Sequence, residues 1–84
     1  MLNKPLSCWY VYIIRASDNS LYTGITTDIE RRFKQHKEKK GARFFWARDP
    51  VEVVFTEEFN SRSDASKREA AIKKLSKVQK EALL

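Results

Sequence analysis

The six residues Trp9-Tyr10-Val11-Tyr12-Ile13-Ile14 are apolar on both alternating faces. A strand covered by protein on both sides has this pattern, so the run predicts a central strand. Ala16-Ser17-Asp18-Asn19-Ser20 is a turn cluster in which Asp and Asn tolerate left-handed backbone. Leu21-Tyr22-Thr23-Gly24-Ile25 then returns, and the two runs predict an antiparallel hairpin. Gly24 marks a bulge or a close backbone approach.

The hydrophobic period then lengthens. Thr27-Asp28-Ile29-Glu30 has the capping-box pattern, with Thr27 as cap and Glu30 three residues on. The helix it opens should run to about Lys39 or Lys40, with Gly41 as a left-handed stop. Ile29 and Phe33 form its apolar anchor, and Arg32 and His36 lie one turn apart on a neighbouring face. Gly41 to Asp49 reads as a loop carrying Phe44, Phe45 and Trp46, either a flap packed on the core or a base-stacking surface. After Pro50, the alternation of Val51, Val53 and Phe55 predicts a third strand with one wetter face, ending near Phe59. Asn60-Ser61-Arg62-Ser63 supplies caps for a second helix from about Ser63 to Leu75. Ser76 breaks it, and Lys77 to Leu84 forms a short terminal helix or a frayed tail.

The order is β-β-α-β-α-(α), with runs too short for a doubly wound parallel sheet. The expectation is a small α/β (α+β) fold, a three-stranded, mainly antiparallel sheet with flanking helices. No repeat, linker or low-complexity tract divides the 84 residues, so residues 1–84 are read as a single domain.

Composition narrows the setting. A chain that is 42% hydrophobic and 12% aromatic can bury a core and is not of the disordered class. Cys8 is the only cysteine, which excludes an internal disulfide and a cysteine metal cluster and fits a reducing, cytoplasmic location. Lys4 before the Cys8–Ile14 run superficially resembles a secretory signal. No small-residue cleavage site follows, though, and Arg15 closes a run far too short to span a bilayer.

Charge changes the picture most. The net +6 is concentrated in one window, where Arg31, Arg32, Lys34, Lys37, Lys39, Lys40, Arg43 and Arg48 face only Glu38. A solvated helix face is the plain reading of such a block. Its single sign and interleaved aromatics point instead to a nucleic-acid backbone, DNA first with RNA left open, over an anionic membrane surface.

Tyr10-Val11-Tyr12, then Tyr22-Thr23-Gly24, then Glu30-Arg31-Arg32-Phe33-Lys34-Gln35-His36, with Glu69 on a later helix, resembles the GIY-YIG nuclease family. The resemblance covers nearly the whole chain and is nearest to the small stand-alone bacterial proteins made of this module alone. The match departs from the pattern in three ways: Tyr10 stands where the family name has glycine, and no asparagine follows Glu69, since Asn3, Asn19 and Asn60 all precede it. Apolar Ile25 and then Thr26 follow Gly24, where some relatives carry a polar or basic residue.

The resemblance implies Mg²⁺, or Mn²⁺ in its place, held by Glu69, and a site made of Tyr12, Tyr22, Arg32, His36 and Glu69. Tyr22 would take the proton from water, Tyr12 would position it or the phosphate, and Arg32 would stabilise phosphate charge. Read from the residues alone, each has a plainer alternative. Ala65, Glu69 and Ile72 share a helix face, so Glu69 interrupts an apolar stripe and needs a partner, which a metal or a nearby Lys or Arg could be. An unperturbed tyrosine ionises near about 10, so the tyrosines could simply be packing aromatics. His36 could bind phosphate, orient Tyr22, assist proton transfer or be structural.

The hairpin supplies a geometric condition. Tyr12 and Tyr22 share a face only if the register pairs even with even positions. That needs an odd-length loop such as Asp18-Asn19-Ser20, or a bulge.

The resulting expectation is Mg²⁺-dependent hydrolysis of DNA phosphodiester bonds, structure- or damage-directed, with a protein partner able to supply specificity. The alternatives are a non-catalytic nucleic-acid-binding module of the same fold and, more remotely, a basic adaptor for an acidic protein.

Overall fold

The computed structural model describes residues 8–84, so Lys4 and the rest of the segment before Cys8 lie outside the described residues. Strands β1 (Trp9–Ala16), β2 (Leu21–Thr26) and β3 (Pro50–Phe59) form one antiparallel sheet in the order β2-β1-β3. Helix α1 (Ile29–Lys37) follows β2, and a 3₁₀ turn spans Arg43–Phe45. Helices α2 (Arg62–Lys73) and α3 (Lys77–Glu81) follow β3.

The all-apolar run becomes the central strand for the reason its pattern implied. Val11, Ile13 and Leu21 pack with Ala65 and Ile72 of α2 on one face. Tyr12, Ile14 and Ala16 pack with Phe45 and Phe33 on the other. Both faces of β1 are thereby removed from water, and Val11 through Ile14 are all buried.

The hairpin meets the register condition. Tyr12 pairs with Gly24 and Ile14 with Tyr22, so both tyrosines point to the α1 side. The loop is three residues long, Ser17-Asp18-Asn19, one position earlier than Asp18-Asn19-Ser20. Ala16 and Ser20 close it through a backbone bond of 2.8 Å, and Asn19 adopts a left-handed φ of 70°. Asp18 holds the tip together: it accepts from the Ser20 amide at 3.0 Å, the Ser20 hydroxyl and Arg48 Nε at 2.8 Å.

Several element boundaries differ from the sequence reading. Asp28, not Thr27, caps α1, its carboxylate accepting from the Arg31 amide at 3.1 Å. Thr26 accepts from the Asp28 amide at 3.1 Å, turning the chain one residue before the helix. Helix α1 ends at Lys37, and the left-handed residue after it is Lys39 (φ 63°), so Gly41 is not the stop. Helix α2 begins at Arg62 under a Ser61 cap and ends at Lys73, short of Leu75. Ser76 starts α3 with a full capping box to Gln79. In β3, the register shifts between the partners of Ile13 and Ile14, which breaks the simple alternation. Val53 consequently packs on the α1 side and Val54 and Phe55 on the α2 side, while Val51 stays exposed. Arg15 reaches from β1 to Glu81 in a two-bond fork of 2.9 and 2.8 Å, fastening α3 to the sheet.

Candidate active site

Four of the five expected site residues meet on the α1 side of the sheet, beside the edge strand β2. Tyr12 projects from the central strand, and its ring lies across Gly24, the residue paired with it on β2. A Cβ at Gly24 would stand 2.5 Å from the Tyr12 hydroxyl oxygen, so only glycine leaves the phenol its place. Tyr22 lies beside it, ring centres 6.2 Å apart. From α1, His36 sends Nε2 to within 2.9 Å of the Tyr12 oxygen. Arg32, one turn earlier, is half-buried, donates to Gln35 Oε1 at 3.0 Å and acts electrostatically on both Tyr12 and His36.

His36 is the less expected member. It is fully buried, packed on Phe45 at 4.7 Å between ring centres and edge-on to Tyr22 at 5.4 Å. Its other ring nitrogen, Nδ1, faces the Ala42 amide at 3.4 Å. A backbone N–H can only donate, so Nδ1 must accept and the ring proton sits on Nε2. Nε2–H therefore donates to the Tyr12 oxygen, which leaves the Tyr12 hydroxyl proton available to another acceptor. Burial first, then the charge of Arg32, lowers the His36 pKa to about 4, so the ring is neutral near pH 7. With both nitrogens engaged, His36 orients Tyr12 and has no lone pair left for proton transfer.

Tyr12 is driven the other way. Burial, then the neighbouring Tyr22, pushes its pKa up to about 12, against a smaller opposing influence of Arg32. It is therefore a neutral phenol and a hydrogen-bond donor at any ordinary pH.

Glu69 comes from the opposite layer. Helix α2 packs its Ala65 and Ile72 against the other face of the sheet, and Glu69 lies between them in the chain. Its charge still acts on the Tyr12 hydroxyl, as the smallest of the influences there. Glu69 is only 21% exposed and pairs with Lys73 at 3.3 Å, the lysine partner that its place in an apolar stripe called for. Among the described residues, no three His, Cys, Asp or Glu side chains cluster as a metal cage. A single carboxylate fits Mg²⁺ or Mn²⁺ only as one ligand beside waters and substrate phosphate, a donor set that Mg²⁺ does use.

The buried Thr23 Oγ1 has no hydrogen-bond partner among the described residues. It lies between Tyr22 and Gly24 and shares the α2-facing side of β2 with Leu21 and Ile25. Next to Arg32 is a concavity of about 250 Å³ lined by Trp9, Ile25, Thr26, Asp28, Arg31 and Gln35.

The basic residues divide. Arg48 is bound to Asp18 and to the Phe44 carbonyl, and Lys39 to Asp49 and the Arg48 carbonyl. Arg48 ties the loop before β3 to the hairpin tip, and Lys39 ties the segment after α1 to that loop. Lys40 lies 3.8 Å from Glu38. Arg31 and Lys34 are exposed on α1, Lys37 stands over the Phe33 ring at 5.8 Å and Arg43 over Trp46 at 5.2 Å.

Sequence reasoning missed Gly41, the Ala42 amide and Phe45 as parts of the site. A Cβ at Gly41 would collide with His36 Nδ1, which explains a glycine that has no positive φ. The available signal was that the chain has only two glycines. Each leaves room for one member of the Tyr12–His36 pair.

The profile of the GIY-YIG catalytic domain matches residues 8–82, and the chain belongs to that family. Within it, several similar proteins carry the name UPF0213. One from Desulfotalea psychrophila is 51% identical over 77 residues, covering 90% of this chain and 70% of its own. One from Citrobacter koseri is 47% identical over 76 residues, covering 90% of this chain and 76% of its own. The solution NMR structure of an E. faecalis protein is 41% identical, with a TM-score of 0.64 over 99% of this chain and 86% of that one. That of the Bacillus halodurans UPF0213 protein is 43% identical, with a TM-score of 0.58 over 90% of this chain and 81% of that one. Among the described residues, no helix is long and apolar enough to cross a membrane.

Proposed function

We propose that this protein is a divalent-metal-dependent endonuclease that hydrolyses DNA phosphodiester bonds in structured or damaged DNA in the cytoplasm. The observation that carries this reading is the convergence of Tyr12, Tyr22, Arg32 and His36 at the β2 edge, with Glu69 in electrostatic reach. Hydrolysis adds water to phosphorus and breaks the bond to one ester oxygen. The chain must accept a proton, stabilise the extra negative charge and support the departing oxygen.

Tyr12, held neutral by burial and aimed by His36, keeps its proton and donates a hydrogen bond to a phosphate oxygen. Arg32 adds a fixed positive charge, which its planar fork delivers in two parallel bonds. Tyr22 takes the proton of the attacking water. It lies beside Tyr12, with ring centres 6.2 Å apart, on the same side of the sheet. Mg²⁺ or Mn²⁺ on Glu69 would supply charge relief at the departing oxygen, with Lys73 yielding its contact. Arg31, Lys34, Lys37 and Arg43 would hold the DNA backbone, with Lys39, Lys40 and Arg48 contributing charge while they tie down the loop.

A non-catalytic nucleic-acid-binding module is the second reading. The Glu69–Lys73 pair favours it. Cleavage of nicked, branched and single-stranded DNA, with and without Mg²⁺, separates the two. Metal-dependent cleavage lost in Glu69→Ala and Tyr22→Phe supports the nuclease. Salt-sensitive binding without cleavage supports the module, and activity surviving both substitutions removes this site from the reaction.

A further inference from the structure

We propose that Trp46 is a stacking platform for an unpaired nucleobase. The inference rests on the nucleic-acid reading above and adds what that reading lacks, a reason to prefer unpaired over duplex substrate.

The three consecutive aromatics of the loop have separate fates. Phe45 is fully buried, with its ring 5.2 Å from Tyr22 and 4.7 Å from His36. Phe44 is half-buried, 5.3 Å from Tyr22, and covered by the Arg48 guanidinium at 4.4 Å. Trp46 is 59% exposed, the one aromatic among the large apolar side chains left exposed in the described residues. The fold gains little from an indole left so open, and burial of the neighbouring Phe45 already anchors the turn.

Two backbone hydrogen bonds close the turn. The Phe45 amide bonds the Ala42 carbonyl at 3.1 Å and the Trp46 amide bonds the Arg43 carbonyl at 2.9 Å. Ala42 is the residue whose amide meets His36. The indole is thus held one residue beyond a ring that touches two members of the candidate site.

Its surroundings select the ligand. The Arg43 guanidinium lies 5.2 Å from the Trp46 ring, so a cation and an aromatic face are presented together. The segment from residue 31 to residue 48 holds eight basic residues and one acid. An apolar protein partner would not call for that excess, and an acidic one would match the charge but not the open indole, whereas a nucleotide presents a flat π-face and a phosphate together. A base inside a duplex has both faces stacked already and cannot occupy the platform. Trp46 should therefore engage single strands, flaps or nick ends.

The test is binding without metal, in EDTA, so that cleavage plays no part. A dodecathymidylate and a fully paired hairpin of similar charge are titrated at low and moderate salt. Tryptophan emission and the anisotropy of a labelled probe are both followed. Wild type, Trp46→Ala, Trp46→Phe and Trp9→Phe are compared, with circular dichroism to verify folding. The expected result is that Trp46→Ala weakens the single strand about tenfold and the hairpin by less than about twofold. Trp46→Phe should retain single-strand affinity, because a phenyl ring also stacks. Emission quenching by the single strand should persist in Trp9→Phe and vanish in Trp46→Phe. Salt-sensitive binding that Trp46→Ala leaves unchanged, or weakens equally for both probes, overturns this inference alone. No binding of either probe at low salt overturns the nucleic-acid reading and this inference together.

Discussion

The Tyr12 hydroxyl and His36 Nε2 lie 2.9 Å apart, both side chains fully buried, though 24 positions separate them in the chain. Because the Ala42 amide faces Nδ1, the direction of this bond is set: imidazole donates and phenol accepts. A backbone amide thereby controls which way the Tyr12 proton points.

The first prediction concerns that tautomer. Long-range ¹H–¹⁵N NMR correlation of the His36 ring at pH 7 should show a protonated Nε2 and a bare Nδ1. Gly41→Ala, whose methyl group would strike Nδ1, should shift both nitrogen signals and disturb the Tyr12 ring resonances. A protonated Nδ1 in the wild type would contradict the assigned direction.

Acid should destabilise the fold through His36. Its folded pKa of about 4 lies below the ordinary 6.5, so the unfolded chain takes up the proton first as pH falls. Stability is full above about pH 6.5 and declines towards pH 4, by up to about 3 kcal/mol for a shift of this size. His36 is the sole histidine. Urea melts at pH 7 and 4.5 should therefore show a drop in the wild type and a nearly flat response in His36→Gln. Asp18 and Glu81, both held down to about 2 by hydrogen bonds from Ser20 and Arg15 respectively, add their losses only at lower pH.

Gly24 and Tyr12 should be coupled. A methyl at Gly24 meets the Tyr12 oxygen first, at 2.5 Å, and then Cζ at 2.7 Å. Overpacking of this kind costs about 1–3 kcal/mol. Gly24→Ala should lower stability by that amount, and Tyr12→Phe should recover part of it by removing the nearest atom. A double-mutant cycle from chemical denaturation measures the coupling, and strict additivity would place the clash elsewhere.

The Arg15 fork to Glu81 predicts a local effect. Arg15→Ala should speed amide deuterium exchange in Lys77–Glu81 while leaving the global denaturation midpoint nearly unchanged. Helix α3 has no buried residue of its own and is held chiefly by this pair and by Leu83 against the core. Equal acceleration in β1 would mean that α3 and the sheet open as one unit.

Much of the architecture was legible because short-range chemistry dictates it. The apolar run of β1 has no solvated register, the Asx-rich cluster turns the chain, and Ser61 and Ser76 are local caps. The family resemblance rested on the same local tripeptides and the Arg32–His36 spacing. Element ends were less legible: Thr27 and Asp28 can both cap α1, and only the path of the chain out of β2 chooses between them.

What the sequence by itself determined is the strand and helix order, the concentration of positive charge, and the parity condition that sets two tyrosines on one face. Tertiary structure alone decided that His36 turns to Tyr12, that Lys73 pairs with Glu69, and that Arg48 and Lys39 serve the loop. It also gave both glycines their reason. Gly24 read locally as a bulge or a close approach and Gly41 as a helix stop, and each leaves room for a ring that arrives from another element. The physical reason is range. Backbone propensity and hydrophobic period act over a few residues, whereas the direction of a buried hydrogen bond depends on groups brought together by packing.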